Sequence, residues 1–437
     1  MKMLSMKVLS KKILISLVII VCPVLASSLA AQTLLIKNAK VHTLSSQGTL
    51  NNADILIEDG LIKSLGKNIN SRADNTIDAQ GKEVTPGIFA VANSIGLVEI
   101  DALNQTMDAV TADELTGASF SLEEAFNPNS TLVPHNRAQG VTRTLISPAY
   151  GNGHLLFGQG AIMSLSGDYH PVIAKSVAIF GSFGERASNQ AGGSRATALK
   201  QLQTLFDESR EYADNYQAIL AGEYRELNHS IDDLKAMQAV IERKTPVVFN
   251  VNRASDIMLL LRFAKKNSIR IILKGAAEAW MVARDIARAN VPVMLDPMNN
   301  IPASFESLGQ RIDQAALLHK AGVDLIFLGQ GFQNTHNAHT VRHSAGTAVS
   351  YGLPYDVALK AFTVTPARIF GGAESYGKIM PGYTAELVIW DGDPLEVTTS
   401  AEEVILAGKL VDKTTKASRL RERYQDISTE KNTAYRK

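Results

Sequence analysis

The stretch PVVFNVNRASDIMLLLRFAKKNSIRIILKG, residues 246–275, gives the clearest indication of the fold. It begins with a short apolar run, continues as an amphipathic segment with Ile257, Leu260 and Ala264 on one helical face, and ends in a second apolar run. Two apolar runs joined by one helix are typical of a β-α-β unit with parallel strands. Such strands are buried on both faces, which explains why polar and apolar residues do not alternate along them.

The alternation of strand and helix continues towards the C-terminus, with further strands predicted at PVMLDP (292–297) and DLIFLG (324–329). No glycine-rich phosphate turn opens any of these helices, so the pattern favours a closed barrel over an open doubly wound sheet. We therefore predict an α/β protein in which residues 86–375 form a distorted (βα)8 TIM barrel. GNGHLLFGQG (151–160) lacks the Lys-Ser/Thr ending of a phosphate-binding loop, and it predicts a hairpin turn.

Strand-like sequence also flanks the barrel on both sides. ADILIEDGLIKSLG (53–66) alternates apolar and polar residues around an Asp-Gly turn, and the same character returns in GYTAELVIWDGDP near the C-terminus. We predict that residues 32–85 and 376–414 together form a small β-sandwich. The charged tail, residues 415–437, is predicted to stay outside it.

The first 31 residues have the pattern of an export signal. Four lysines precede an apolar segment from 13 to 25, and small residues at 28–31 suit cleavage. The apolar segment is short for a membrane span of about 20 residues, so we predict a cleaved signal peptide and a periplasmic protein without a membrane partner; a retained anchor is the alternative. The single cysteine, Cys22, lies in this segment, which leaves the mature chain without thiols.

The charge balance of the chain excludes one class of partner. The sequence contains 44 lysines and arginines against 43 aspartates and glutamates, a formal net charge of +1. Nucleic-acid-binding proteins usually carry a clear excess of basic residues, because phosphate contacts dominate their affinity. We therefore expect no nucleic-acid partner.

Eight stretches of sequence occur along the chain in a definite order. They include LLIKNAKVHT, EVTPGIF, GVTRTLISP, HNAHTVRHSAG and GKIMPGYTAELVIWDGDP. In this order, over about residues 33–414, they resemble the amidohydrolase superfamily and, within it, the exported imidazolonepropionase-related subgroup. The resemblance implies a hydrolase of carbon–nitrogen bonds other than peptide bonds. It also implies a divalent metal such as zinc, which lowers the pKa of bound water from about 16 towards about 7.

The residues that the resemblance places at the metal-ligand positions do not suit a metal. The paired histidines after the family's first barrel strand correspond to Ala92 and Ser94, and the histidine after the fifth strand corresponds to Asn250. Lys274 lies in the sixth-strand region, and Gln330 lies near the expected aspartate. Imidazole and carboxylate hold such ions, whereas an ammonium group repels them. We therefore predict no bound cofactor and a pseudoenzyme with little or no metal-dependent activity.

Three histidines keep a second hypothesis open. His336, His339 and His343 are spaced i, i+3 and i+7, so they can share one face of a helix. They follow the last strand, at the end of the barrel where active sites gather. A metal site relocated to these histidines would support an active hydrolase of cyclic amides or related substrates. The simpler interpretation is a helix start with solvated histidines.

The remaining polar residues at the predicted mouth of the barrel indicate a ligand site. Arg253 directly follows a strand, where it can clamp a carboxylate with two hydrogen bonds or pair with Asp256. We expect a small-molecule ligand, and a hetero-oligomer with a catalytically intact relative, while the sequence identifies no catalytic residue. The candidate ligand-binding residues are Asn93, Asn250, Arg253, Lys274, Gln330 and His336.

Overall fold

The computed structural model describes residues 33–100, 103–151, 153–331, 333–372 and 374–425. The predicted signal peptide, including Cys22, and the end of the charged tail lie outside the described residues. Within those ranges, no helix is both long enough and apolar enough to cross a bilayer.

The strands of the described residues fall into two sheets, with helices mainly around the second. The strands are β1 (Thr33–His42), β2 (Thr49–Glu58), β3 (Leu61–Gly66), β4 (Asn75–Asp78), β5 (Glu83–Pro86), β6 (Ile88–Asn93), β7 (Val141–Ile146), β8 (Leu156–Ser164), β9 (Val172–Ser182), β10 (Val247–Val251), β11 (Ile271–Gly275), β12 (Val293–Leu295), β13 (Leu325–Phe327), β14 (Leu387–Trp390), β15 (Ala401–Leu406) and β16 (Lys409–Leu410). The α-helices are α1 (Leu132–Arg137), α2 (Glu185–Gln190), α3 (Arg195–Asp214), α4 (Tyr216–Leu220), α5 (Ile231–Ala236), α6 (Gln238–Ile241), α7 (Ala254–Asn267), α8 (Ala283–Arg288), α9 (Gln314–Lys320), α10 (Gln333–His336), α11 (Val341–Ser350), α12 (Tyr355–Lys360), α13 (Val364–Phe370) and α14 (Lys416–Gln425).

The first sheet combines both ends of the chain, as the flanking β segments predicted. Its strand order is β16-β15-β14-β5-β1-β2-β3, and β4 pairs with β1. The sheet curls on itself, as an isolated β-bridge shows: it joins Leu61 at the start of β3 to Thr384 just before β14. It encloses an apolar core that includes Ile36, Ile57 and Ile405.

Strand β14 contributes to two hydrophobic cores at once. Leu387 and Ile389 pack in the core of the first sheet, whereas Val388 and Trp390 pack in the main core around the barrel. Successive side chains of a strand point to opposite faces, so a strand buried on both faces must be apolar throughout. The unbroken apolar run of β14 is explained by this double burial.

The second sheet is the predicted barrel, with strand order β13-β12-β11-β10-β9-β8-β7-β6. Strand β8 is antiparallel to both of its neighbours, and the other seven strands run in one direction. The connections 147–155 and 165–171 are too short for the crossover of a dozen or more residues that parallel strands need. The hairpin turn predicted within 151–160 is confirmed in the first of these connections.

Apolar side chains fill the middle of the barrel interior, and polar ones line its carboxyl end. On β10, Val248 faces the interior, while Val247 and Phe249 face the surrounding helices. The next inward position of β10 is Asn250, and the equivalent position of β11 is Lys274. These two positions place polar side chains at the mouth formed by the carboxyl ends of the strands. At the opposite end, the buried Arg143 of β7 is paired with Glu386 at 2.8 Å. The interior is filled by residues such as Phe89, Phe180, Ile272, Met294 and Ile326.

The barrel closes at a seam between β13 and β6, which share no ladder within the described residues. At the mouth, the buried Asn334 joins the two strands. Its Nδ2 donates to the carbonyl oxygens of Val91 (3.0 Å) and Ala92 (2.9 Å), and its Oδ1 accepts from the backbone N–H of Gly329 (2.8 Å). The backbone of residues 361–362 closes the seam at a greater distance from the mouth. Its two carbonyl oxygens accept hydrogen bonds, one from a backbone N–H of β13 and the other from a backbone N–H of β6.

We expect Asn334→Asp to lower the free energy of unfolding by about 3 kcal/mol, because a carboxylate would face two carbonyl oxygens in place of their donor. Chemical denaturation of the two proteins measures the difference. The matched control is Asn300→Asp at an exposed site on a loop of the barrel, where little change is expected. Equal effects of the two substitutions would contradict the role of Asn334 at the seam.

Candidate functional site

A cavity of about 420 Å3 opens at the mouth of the barrel. This is the end at which TIM-barrel proteins place their functional residues. Four of the six predicted ligand-binding residues line the cavity: Asn93 on β6, Asn250 on β10, Lys274 on β11 and Gln330 after β13. These four predicted residues therefore lie together at the mouth of the barrel.

Asn93 is almost fully buried and keeps one donor without a partner. Its Oδ1 accepts hydrogen bonds from the backbone N–H of Ile95 (3.1 Å) and from Thr144 Oγ1 (2.8 Å). Its Nδ2 has no hydrogen-bond partner among the described residues. A buried donor left unpaired costs about 1–3 kcal/mol, which an acceptor oxygen on a ligand would recover.

Lys274 stands beside Asn250 in the register of β11 and β10. No hydrogen bond or ion pair to its Nζ occurs within the described part of the chain. Burial lowers the pKa of Lys274 to about 8, because the barrel mouth solvates an ammonium group less well than water does. The cavity therefore presents a cation that has no protein counter-ion.

Asp296 also lines the cavity, although it is not among the residues predicted from the sequence. It follows β12, and its Oδ1 accepts a hydrogen bond from the backbone N–H of Met298 at 2.9 Å. Burial raises the pKa of Asp296 in spite of this hydrogen bond. The signal was present in PVMLDP, because an acid two positions after the inward-facing Met294 must also face the barrel. Other cavity residues that were missed are Ser147, Arg311 and Asn334.

Two of the predicted mouth residues, Arg253 and His336, are not among those that line this cavity. Arg253 occupies the position just before α7, where the chain leaves the barrel wall to enter the helix. Its predicted partner Asp256 pairs instead with Arg195, at 2.8 Å. His336 ends the short helix α10, whose Asn334 and preceding loop form the cavity wall. The cavity is thus lined by fewer of the predicted ligand-binding residues than the sequence suggested.

The three histidines of the alternative metal site do not gather at the cavity. The Nδ1 of His339 lies 3.3 Å from Asn136 Oδ1, and its ring packs edge-on against His135 with the centroids 5.5 Å apart. Burial, together with the nearby cationic groups, lowers the pKa of His339 to about 3, and burial lowers that of His343 to about 4. Among the described residues, no three His, Cys, Asp or Glu side chains are grouped so as to hold a metal ion.

The fold has clear counterparts among solved structures. An amidohydrolase from Thermotoga maritima MSB8 superposes with a TM-score of 0.78 at 24% identity, over 87% of this chain and 100% of that chain. In addition, the model of the amidohydrolase family matches residues 330–412, which run from the barrel mouth into the first sheet. The C-terminal part of the chain therefore matches the amidohydrolase family model, and the chain has the fold of a solved amidohydrolase.

The chain is also similar to two curated proteins. It is 23% identical over 391 residues to the amidohydrolase tasK of Hapsidospora irregularis, which covers 81% of this chain but only 39% of that protein. It is 37% identical to a 5-methylthioadenosine/S-adenosylhomocysteine deaminase of Pyrococcus furiosus, over 70 residues that make up 16% of each chain. The chain therefore spans about two fifths of the length of the first relative.

The residues at the mouth do not fit the divalent metal that the resemblance to amidohydrolases implies. Ala92 offers no donor atom, and Asn250 offers only a neutral amide oxygen. Lys274 brings an ammonium group, which has no lone pair while it is protonated and which repels a cation. Lys175 on β9 cannot take part in such a site either, because it is exposed and pairs with Glu124 at 2.7 Å. The mechanism of metal-activated water therefore has no set of ligands at this mouth.

We expect Lys274→Met to raise the free energy of unfolding at pH 7 by about 2 kcal/mol, because methionine fills similar space without burying a charge. The pKa of Lys274 is about 8 in the folded chain and 10.5 as the ordinary value, so the unfolded state binds more protons between these pH values. The wild type should therefore gain stability relative to the variant as the pH rises from 8 to 10.5.

Denaturant unfolding of both proteins at pH 7, 9 and 10.5 measures this difference. Lys175→Met, which removes a lysine from the protein surface, is the matched control. A stability difference between wild type and Lys274→Met that does not change with pH would contradict the burial of an unpaired charge.

Proposed function

We propose that this amidohydrolase-superfamily protein binds a small polar molecule at its barrel mouth and has little or no metal-dependent hydrolase activity. The superfamily acts by its standard reaction on carbon–nitrogen bonds other than peptide bonds, and this defines the class of ligand to try first. Cyclic amides such as hydantoin offer both carbonyl oxygens and N–H groups to the amide side chains of the cavity.

The observation that carries this proposal is the unpaired ammonium group of Lys274. It lies among the positions where a divalent metal would need its ligands. A divalent cation there would lie close to a positive charge in a poorly solvated cavity, where repulsion is stronger than in water. The same cavity offers hydrogen-bonding groups of Asn93 and Asn250 to an uncharged or anionic ligand. Binding of a small polar molecule is therefore supported, and hydrolysis through metal-bound hydroxide is not.

We expect the mature protein, purified in chelator-free buffer, to contain far less than one equivalent of zinc, manganese, iron or nickel per chain. Elemental analysis measures this content, and addition of a chelator should leave both the melting temperature and any turnover of hydantoin unchanged. A metal-containing amidohydrolase treated in the same way is the control. About one tightly held ion per chain, or hydantoin hydrolysis that depends on added zinc, would overturn the proposal.

We also propose that residues 1–31 are a signal peptide that is removed on export to the periplasm. The proposal is supported by the basic, apolar and small-residue regions in their required order. The intact mass of the protein in the periplasmic fraction should correspond to a chain that begins close to Gln32. A full-length mass in the membrane fraction would favour a retained anchor instead.

A further inference from the structure

We propose that Lys274 binds a small aldehyde or ketone covalently, as an imine in the mouth cavity. The inference rests on the proposed function, because it specifies the chemistry by which the same cavity would hold its ligand. It goes beyond the superfamily's reaction, in which water attacks the substrate, because here a side-chain nitrogen would do so.

The first support is the position of the amino group. Lys274 is held on a central strand of the barrel, between the ladders to β10 and β12, so its backbone is fixed. Its side chain lines the cavity and is only partly accessible to solvent. Its Nζ has no carboxylate within ion-pair distance in the described part of the chain. The amine is therefore available to a ligand, because no carboxylate in the described part of the chain pairs with it.

The second support is the protonation state that this position imposes. With a pKa of about 8, roughly a tenth of the Lys274 side chains are neutral at pH 7, about 300 times the fraction for an ordinary lysine. Only the neutral amine has the lone pair that attacks a carbonyl carbon, and desolvation is a recognised way to activate lysine for imine formation. Surface lysines such as Lys175, whose pKa is raised by its pairing with acidic side chains, lack this advantage.

The third support is the set of neighbours that the reaction requires. Asn93 supplies a buried N–H without a partner, which can donate to an oxygen of the ligand. Asp296, on the loop that follows the neighbouring strand β12, has its pKa raised by burial, so it holds a proton more readily than an exposed acid. A proton donor and a hydrogen-bond donor thus share the cavity with the amine.

The proposed step balances without an oxidant or a second reactant. The lone pair of Lys274 Nζ forms a bond to the carbonyl carbon, and the electron pair of the C=O bond moves to oxygen, which gains a proton as nitrogen loses one. The carbon–oxygen bond of this carbinolamine then breaks, and the hydroxyl group leaves as water after protonation by Asp296. Loss of the second nitrogen proton to the Asp296 carboxylate leaves a neutral imine and restores the acid.

The test is reductive trapping with a defined carbonyl probe. The purified chain is incubated at pH 7.5 with glyoxylate or pyruvate and sodium cyanoborohydride, and peptide mass spectrometry measures the occupancy of each lysine. We expect Lys274 to be labelled at least ten times faster than Lys175. We also expect Lys274→Arg to abolish that fast phase while Lys175→Arg leaves it intact, since arginine keeps the charge but cannot form the imine.

A second variant guards against loss of folding as an explanation. Asn93→Leu leaves Lys274 in place and should slow its labelling several-fold, provided that the circular dichroism spectrum and melting curve match the wild type. Labelling of Lys274 no faster than that of Lys175 would overturn the imine. So would probe binding that stabilises the chain without any trapped adduct, since it would show a non-covalent site. Because neither readout measures metal content, failure here is distinguishable from failure of the proposed function.

Discussion

The barrel of this protein depends on how its last strand meets its first. Eight strands curl far enough to bring β13 beside β6, but the ladder that would join them is replaced by the side chain of Asn334. One amide satisfies two carbonyls and one N–H, which are the groups that a missing ladder leaves exposed. Ala92 and Gly329, on either side of this contact, also line the cavity. Closure of the barrel and shaping of its mouth therefore use the same residue.

The backbone at the tip of β6 is strained where it enters this contact. Ala92 adopts a φ of 52°, in the left-handed region that costs a residue with a side chain about 1 kcal/mol or more. Strain of this kind persists only where surrounding contacts determine the conformation, and it is concentrated at functional sites. Here the bend accompanies the paired hydrogen bonds from Asn334 and precedes Asn93, whose unpaired N–H belongs to the cavity. The tip of β6 is thus held in a form that its own sequence does not favour.

The sequence predicted the architecture well because the fold depends on the regular burial of apolar side chains. The spacing of apolar residues along the chain shows this burial directly. The parallel strands appeared as apolar runs, and the carboxyl ends of β6, β10 and β11 placed Asn93, Asn250 and Lys274 at one mouth. The parts that could not be predicted depend on side-chain direction and on long-range partners. Arg253 was expected to bind a ligand at the mouth, but it caps the start of α7 and does not line the cavity. Asn334 gave no signal, because two of its three partners, Val91 and Ala92, lie on a strand more than 240 residues away in the sequence.

The dual role of β14 has a consequence for how the chain reaches its native state. Strands β1 to β5 are made early in synthesis, yet β5 can pair with β14 only after about 300 further residues have been added. Contacts between such distant segments carry a large loop-closure cost and fold slowly. The polypeptide therefore remains without a complete core until almost its whole length is available. In a chain of this topology, the C-terminal sheet segment supplies side chains that complete both cores.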